Sequence, residues 1–370
     1  MKKYICILLS VCFVQQSLPA QIENPQHNVI QLALLLDVSG SMEGLIDQAK
    51  SELWTIVNEV AKAKKAGHQT RLEIALYEYG RTNNPAENGY IVKLLDYSSD
   101  LDTISKVLFS LKTNGGDEYC GWVIKNAVQE LQWRNSDSIY RVIFIAGNEP
   151  FNQGGVDYKN SMEQSANKGI IINTIHCGDS MTGVNQFWQD GAVKGRGAYF
   201  FINQNSKQYD IPTPYDSMIG VYNDSLNTTY WSFGTAGKFY KSNQLEQDMN
   251  AKNMSSSIKA KRAVSKSSAI YNNSTWDAVD AMKNDTGWIY KATDEEMPAE
   301  LKGKKLEDKK IALDSASRKR QFFSEHIARL NVLRETFIRE HKPAGTERTL
   351  GMALVDAIHR QATTKGFVFE

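Results

Sequence analysis

The sequence predicts an α/β fold: a mostly parallel, six-stranded sheet flanked by helices, followed by an α-helical C-terminal region. Three observations carry this expectation. Short apolar runs alternate with helix-like stretches from residue 29 to about 227, the pattern of parallel strands joined by crossover helices. One pair of runs is joined by a connection too short and too turn-rich to hold a helix, so one strand must turn back on its neighbour. After about residue 230 the apolar strand runs stop and Lys, Ser, Asn, Glu and Asp dominate. The chain has 370 residues, more than the roughly 250 to 300 at which single cores stop growing. We therefore read residues 28–230 as one domain and 231–370 as a helical extension.

Taken from the start, Met1-Lys2-Lys3, the apolar run Tyr4 to Val14 and Ser17-Leu18-Pro19-Ala20 have the three-part layout of a secretory signal over residues 1–20. The mature chain is then expected to be exported, whether periplasmic, at the cell surface or secreted. No later stretch is apolar for the roughly 18 residues a membrane helix requires, so no transmembrane segment is expected. Cleavage would remove Cys6 and Cys12 and leave Cys120 and Cys177. These two leave open a disulfide in an oxidising compartment or a pair of buried free thiols. With 43 basic against 42 acidic residues, nothing in the charge demands nucleic acid or an anionic membrane as partner.

Strands are expected at Val29 to Leu36, Leu72 to Tyr79, Tyr90 to Leu95, Arg141 to Ala146, Ile170 to His176 and Ala198 to Asn203. Helices are expected at Glu43 to Ala66, Leu101 to Leu111, Tyr119 to Gln132, Tyr158 to Lys168 and Pro214 to Leu226. The last begins well, with an oxygen cap at Thr213, a proline at the first helical position and Asp216 near the positive end. Arg81 to Gly89 is the turn-rich connection, which makes the second and third strands an antiparallel hairpin and puts the third on a sheet edge. In the extension, residues 245–285 read as weakly patterned helix with Trp276 and Val279 as packing points. Phe323, Ile327, Leu330, Leu333 and Phe337 recur at three- and four-residue spacing within 305–340. That spacing predicts an amphipathic helix packed against its own neighbours as a small hairpin.

The chemistry concentrates where the first strand runs into Asp37-Val38-Ser39-Gly40-Ser41-Met42. Asp37 and the hydroxyls of Ser39 and Ser41, at alternate positions, can face one point, and Gly40 lets the loop turn. One carboxylate with neutral hydroxyl oxygens suits a hard divalent cation such as Mg2+. The loop also leaves the carboxyl end of a strand, where open parallel sheets bind ligands.

Leu34 to Met42 resembles the first metal-binding motif of von Willebrand factor A domains, and the order of elements from Val29 to about Asn227 is similar to theirs. The resemblance implies a doubly wound, Rossmann-like sheet. It also implies a metal-ion-dependent adhesion site built from an Asp-x-Ser-x-Ser loop, a threonine and a second aspartate, with a protein ligand's Asp or Glu completing the metal shell. Asp37, Ser39 and Ser41 match the loop; Thr113, in Thr113-Asn114-Gly115-Gly116-Asp117-Glu118, matches the threonine. The third piece departs, because Gly147 stands where the second aspartate is expected, followed by Asn148 and Glu149. The ion, Mg2+ or else Mn2+ or Ca2+, would be held with one carboxylate fewer. Asn148 offers an oxygen, and Asp117 and Glu149 add charge around the ligands. Cys120, opening the helix after the Thr113 loop, and Cys177, ending a strand, both lie near the carboxyl ends of the strands, where a Cys120 to Cys177 bridge would pin that loop to the neighbouring strand.

Other features have plainer readings. His176-Cys177-Gly178 ends a strand with no second His or Cys at zinc spacing, so His176 is expected to be buried. Gly191 to Gly197 precedes a strand, whereas a phosphate cradle follows one, so it reads as a turn. The tryptophans are expected in packing. No nucleophile–base pair, Gly-x-Ser-x-Gly elbow or His-Glu-x-x-His helix occurs. The expected function is therefore metal-dependent protein–protein binding of an adhesion or scaffold kind, without catalysis. A metal-free module binding through the helical tail is the alternative, and a metal-dependent hydrolase ranks last.

Overall fold

Val29–Asp37 (β1) is buried at every position, the burial expected of a strand with neighbours on both sides and helices on both faces. The computed structural model describes residues 28–203, 205, 211–343 and 347–370; the expected signal, with Cys6 and Cys12, lies outside them. The remaining strands are β2 (Ala63–Lys65), β3 (His68–Gln69), β4 (Arg71–Tyr79), β5 (Ile91–Ser98), β6 (Tyr140–Gly147), β7 (Ile171–Cys177), β8 (Arg196–Ile202) and β9 (Phe367–Phe369). Helices α1 (Glu43–Ala61), α2 (Leu101–Ser110), α3 (Cys120–Glu130), α4 (Tyr158–Asn167), α5 (Ser180–Asn185), α6 (Trp188–Lys194) and α7 (Asp216–Asn227) alternate with them. The extension adds α8 (Gly237–Met254), α9 (Ser256–Ser267), α10 (Ala278–Asn284), α11 (Trp288–Lys291), α12 (Leu306–His341) and α13 (Leu350–Thr363).

The main sheet has the order β5-β4-β1-β6-β7-β8. The expected hairpin is present, with β5 antiparallel to β4 at the edge, and every other neighbouring pair is parallel. Chain direction across the sheet therefore reverses between β1 and β6, and their carboxyl ends flank the crevice where such sheets bind ligands. The register places Leu36 opposite Ala146 and Asp37 opposite Tyr79, so Asp37, Tyr79 and Gly147 end their strands side by side.

Alternation along the strands divides the core. Leu32, Leu34 and Leu36 face one layer with α1, α2 and α7, whereas Ala33 and Leu35 face the other with α3, α4 and α6. The helical extension does not build a core apart from the first layer. Ile258, Ala263, Tyr271, Trp276, Ile327, Leu354 and Ile358 belong to the same apolar cluster as β1 and α1, with only a satellite cluster around Val279, Leu301 and Leu313. Helix α13 lies against α1 and over β6, β7 and β8 as part of the sheet's covering layer. Tyr140 Oη donates to Gln361 Oε1 at 2.7 Å, tying α13 to a central strand.

Three local expectations are revised. Helix α1 stops at Ala61 rather than Ala66, because Ala63–Lys65 pairs with both β3 and the C-terminal β9. The amphipathic helix is α12, but its apolar stripe packs on α7 and α9 rather than forming a hairpin with its immediate neighbours. Within that stripe Ile327 is fully buried while Leu333 is 49% exposed, and the charged Arg334 beside it is buried instead. Finally, Gly191 lies inside α6, so the glycine-rich stretch expected as a turn is the end of a helix and the entry to β8.

Candidate metal centre

Asp37 is the last residue of β1 and has no measurable exposure. The chain turns there so that the Ser39 backbone N–H donates to Asp37 Oδ1 at 2.7 Å, and the hydroxyls of Ser39 and Ser41 come within 3.5 Å of each other. These hydroxyls could have served only to cap the following helix. They do not: α1 begins after Met42 with no side-chain cap, so Ser39 and Ser41 have no part in satisfying its amides.

The loop carrying Thr113 is laid against this turn. Asn114 N donates to Val38 O at 2.9 Å, and Thr82 N to Gly115 O at 2.5 Å, which pins the loop between the Asp37 turn and the start of the β4–β5 connection. Only glycine allows that approach at 116, where a Cβ would stand 2.5 Å from Gly80 O. The structure thus brings together the turns bearing Asp37, Ser39, Ser41 and half-buried Thr113. From β6, Asn148 reaches across and its amide nitrogen donates to Ser41 Oγ at 3.1 Å. Asp117 is displaced from the expected supporting place: its carboxylate is exposed and accepts from Tyr119 Oη at 3.1 Å. Its neighbour Glu118 is the buried one, facing Ser39 and Asp37. Sequence reasoning missed Glu118, and an irregular loop has no periodicity from which its direction could have been read.

The electrostatics are those of carboxylates crowded out of water. Burial pushes the Asp37 carboxyl up to about 7, against the Ser39 amide and hydroxyl and the Asn148 amide, with Glu149 adding to the rise. Burial, then the charge of Asp37, pushes Glu118 up to about 8. Among the described residues no lysine or arginine forms an ion pair with either. Asp37 Oδ2 and Asn148 Oδ1 are buried oxygens without a hydrogen-bond partner, an arrangement that costs stability unless something positive completes it.

The absent second aspartate has a steric reason. A Cβ on Gly147 would stand 2.5 Å from Tyr79 Oη and 3.0 Å from Asp37 Oδ2. Tyr79 reaches from β4 over β1 and donates to Ala146 O at 2.9 Å, so its ring and hydroxyl occupy the room an aspartate would need. Gly147→Asp is accordingly expected to lose about 1–3 kcal/mol of stability through overpacking. Adding Tyr79→Phe to that chain should recover part of the loss in a thermal melt; a single variant as stable as the parent would refute the steric account.

The cysteines settle as two buried free thiols and not as a disulfide. Cys177 follows Ile175 into the layer under α1, while Cys120 opens α3 on the opposite face beside Tyr79, so the sheet stands between them. His176 is buried, as expected, against Trp188 with ring centroids 5.8 Å apart, and burial lowers its pKa despite nearby Asp179.

Strand order and the antiparallel edge are those that the von Willebrand factor A resemblance implies, and the Asp-x-Ser-x-Ser turn lies at the point of reversal. Residues 28–211 match the family model described as "Protein of unknown function (DUF1194)". No curated protein matches the sequence. Among solved structures, the domain is similar to BatB from Bacteroides thetaiotaomicron, with 16% identity and a TM-score of 0.36 over 47% of this chain and 90% of that one. It is similar to the SpRpn10 VWA domain at 15% and 0.34, over 48% and 89%. Proximal thread matrix protein 1 from the mussel byssus, with a zinc-occupied MIDAS motif, gives 15% and 0.35 over 47% and 41%.

Proposed function

We propose that this chain is an exported binding protein whose von Willebrand factor A-type domain captures a protein ligand through a divalent cation. Asp37, Ser39 and Ser41 would hold the ion, Mg2+ or a similar hard cation, with Thr113 and Asn148 contributing from the adjoining loops. One observation carries this reading: Asp37 Oδ2 and Asn148 Oδ1, unpartnered and buried, stand beside two hydroxyls that serve no cap. Such oxygens fit a cation that prefers oxygen donors.

When bound, the ion would supply a positive centre to which an acidic side chain of the partner can attach. The chain's own residues explain why the ion is needed. Without it the crevice offers no positive group, because burial holds the Asp37 and Glu118 carboxyls toward their protonated forms and any charge they do carry repels a carboxylate. Asn148 fixes Ser41 by its hydrogen bond, and the Ser39 amide fixes Asp37, so the donors are held in place before any ligand arrives.

Calorimetric titration of the full chain with Mg2+, Mn2+ and Ca2+ tests the proposal. Saturable binding at one site, abolished by Asp37→Ala, is the expected result. Equal heats from parent and variant would remove Asp37 from the mechanism. They would favour contacts through the helical extension, where Phe322, Val332 and Leu333 of α12 are 50%, 66% and 49% exposed.

A further inference from the structure

Glu118 lies at the end of the Thr113 loop, near the Oδ1 side of Asp37, whereas Gly147 lies near its Oδ2 side. The two glycines that shape its surroundings show how close it comes to Asp37. Gly80 has φ +83°, and a Cβ there would stand 2.9 Å from Glu118 Cγ, 3.0 Å from Asp37 Oδ1 and 3.6 Å from Ser39 Cβ. Three oxygen-bearing side chains therefore surround one spot that only glycine leaves open. Gly116, pressed onto Gly80 O, lets the loop descend far enough to put Glu118 there.

Glu118 is 7% exposed and Asp37 fully buried, and among the described residues neither has a lysine or arginine partner. Asp37 Oδ2 remains without a hydrogen bond. Two neighbouring carboxyls in a dry site cannot both ionise freely, and a shared cation allows both to do so. The sheet has no room for an acid at 147 because Tyr79 fills it, and the acid that does approach Asp37 comes from the Thr113 loop.

We infer that Glu118 is the second carboxylate of the cation site, supplied from the Thr113 loop in place of the aspartate that Tyr79 excludes from β6. This rests on the cation reading above and adds to it a ligand that the motif does not contain. With two carboxylates the site would carry enough charge to hold a divalent ion firmly, since affinity follows the number of charged ligands.

The test is Mn2+ binding to the full chain, followed by loss of the free-ion electron paramagnetic signal, for the parent, Glu118→Gln, Glu118→Asp, Asp117→Asn and Asp37→Asn. Glu118→Gln should weaken binding about 10- to 100-fold, the range seen when groups around a metal are altered. Glu118→Asp should fall between it and the parent, and Asp117→Asn should match the parent. Thermal melts in chelator should show Glu118→Gln no less stable than the parent, because a neutral group of the same shape replaces a buried acid crowded against Asp37. If Glu118→Gln binds like the parent while Asp37→Asn does not, the inference is wrong and the cation site stands. If the parent binds no Mn2+, both fall.

Discussion

A chain ending at residue 230 is expected to be unfolded or aggregated rather than a free-standing domain. The extension covers α1, α2 and α7 with α13, α8, α9 and α12. Its removal uncovers Trp54, Leu53, Val57, Ile219 and Leu226, all buried in the intact chain. Exposing a large apolar side chain costs roughly 1.5–3 kcal/mol, so full exposure of these five would offset most or all of the roughly 5–15 kcal/mol that typically holds a domain folded. Polar partners are lost as well. Asp216, at the start of α7, loses the buried Arg334 at 2.8 Å, and Glu52 loses the Thr349 hydroxyl at 3.0 Å. Solubility, circular dichroism and a melting curve check this; a soluble monomer with a cooperative melt would contradict it. Binding by the sheet domain and by the extension must therefore be separated with point substitutions.

Arg262→Met should be the most damaging single change in the joint between domain and extension. Arg262 of α9 is 1% exposed, meets Asp102 of α2 at 2.8 Å and Asp248 of α8 at 2.5 Å, and stacks 4.7 Å over the Trp54 ring. Lys266 joins the cluster at 2.9 Å from Asp248. Methionine keeps much of the volume and leaves the buried Asp102 carboxylate without its guanidinium, with the Tyr271 hydroxyl at 2.6 Å and the more distant charge of Lys266 remaining, which should cost about 3–5 kcal/mol. Replacing Asp102 by leucine in the same chain should restore part of that loss, since an apolar pair needs no counter-charge. Urea unfolding of the three chains measures it, and a single-variant loss under about 1 kcal/mol would mean the pair is not buried in solution.

The same cluster fixes a sign for acid unfolding. Burial would raise the Asp248 carboxyl, but the charges of Lys266 and Arg262 overcome it and hold the group well below 3.8. A depressed acid contributes its full stability above the unfolded value and loses it only as pH falls through the folded one. Arg262→Met weakens that hold, so the variant should begin to unfold at higher pH than the parent.

Much of this was legible in the residues. Unbroken apolar runs marked β1 and β6, the Arg81 to Gly89 connection marked the antiparallel edge, and Asp37-Val38-Ser39-Gly40-Ser41 pointed to the turn after β1 as the candidate site. What escaped depended on direction rather than type. That Tyr79 points inward follows from alternation, but nothing in alternation says its hydroxyl takes an aspartate's place beside Gly147. Asp117 and Glu118 are adjacent acids in an irregular loop, where no period tells which faces in. The cysteines were separable in principle, because Cys177 shares the parity of Ile175 and so points away from α3. The role of α13 was also within reach: Leu350, Ala353, Leu354, Ala357 and Ile358 recur at helical spacing and are all buried. Sequence position beyond the sheet suggested an appendage, yet the chain returns to complete the layer over β6, β7 and β8.

The cation is the point on which the functional account turns, and its position can be observed directly. Crystals of the full chain grown with Mn2+ should show an anomalous difference peak within coordination distance of Asp37, Ser39, Ser41 and Glu118, at the carboxyl ends of β1 and β6. A clean map there at saturating Mn2+, with Asp37 Oδ2 turned onto a protein donor, would contradict it.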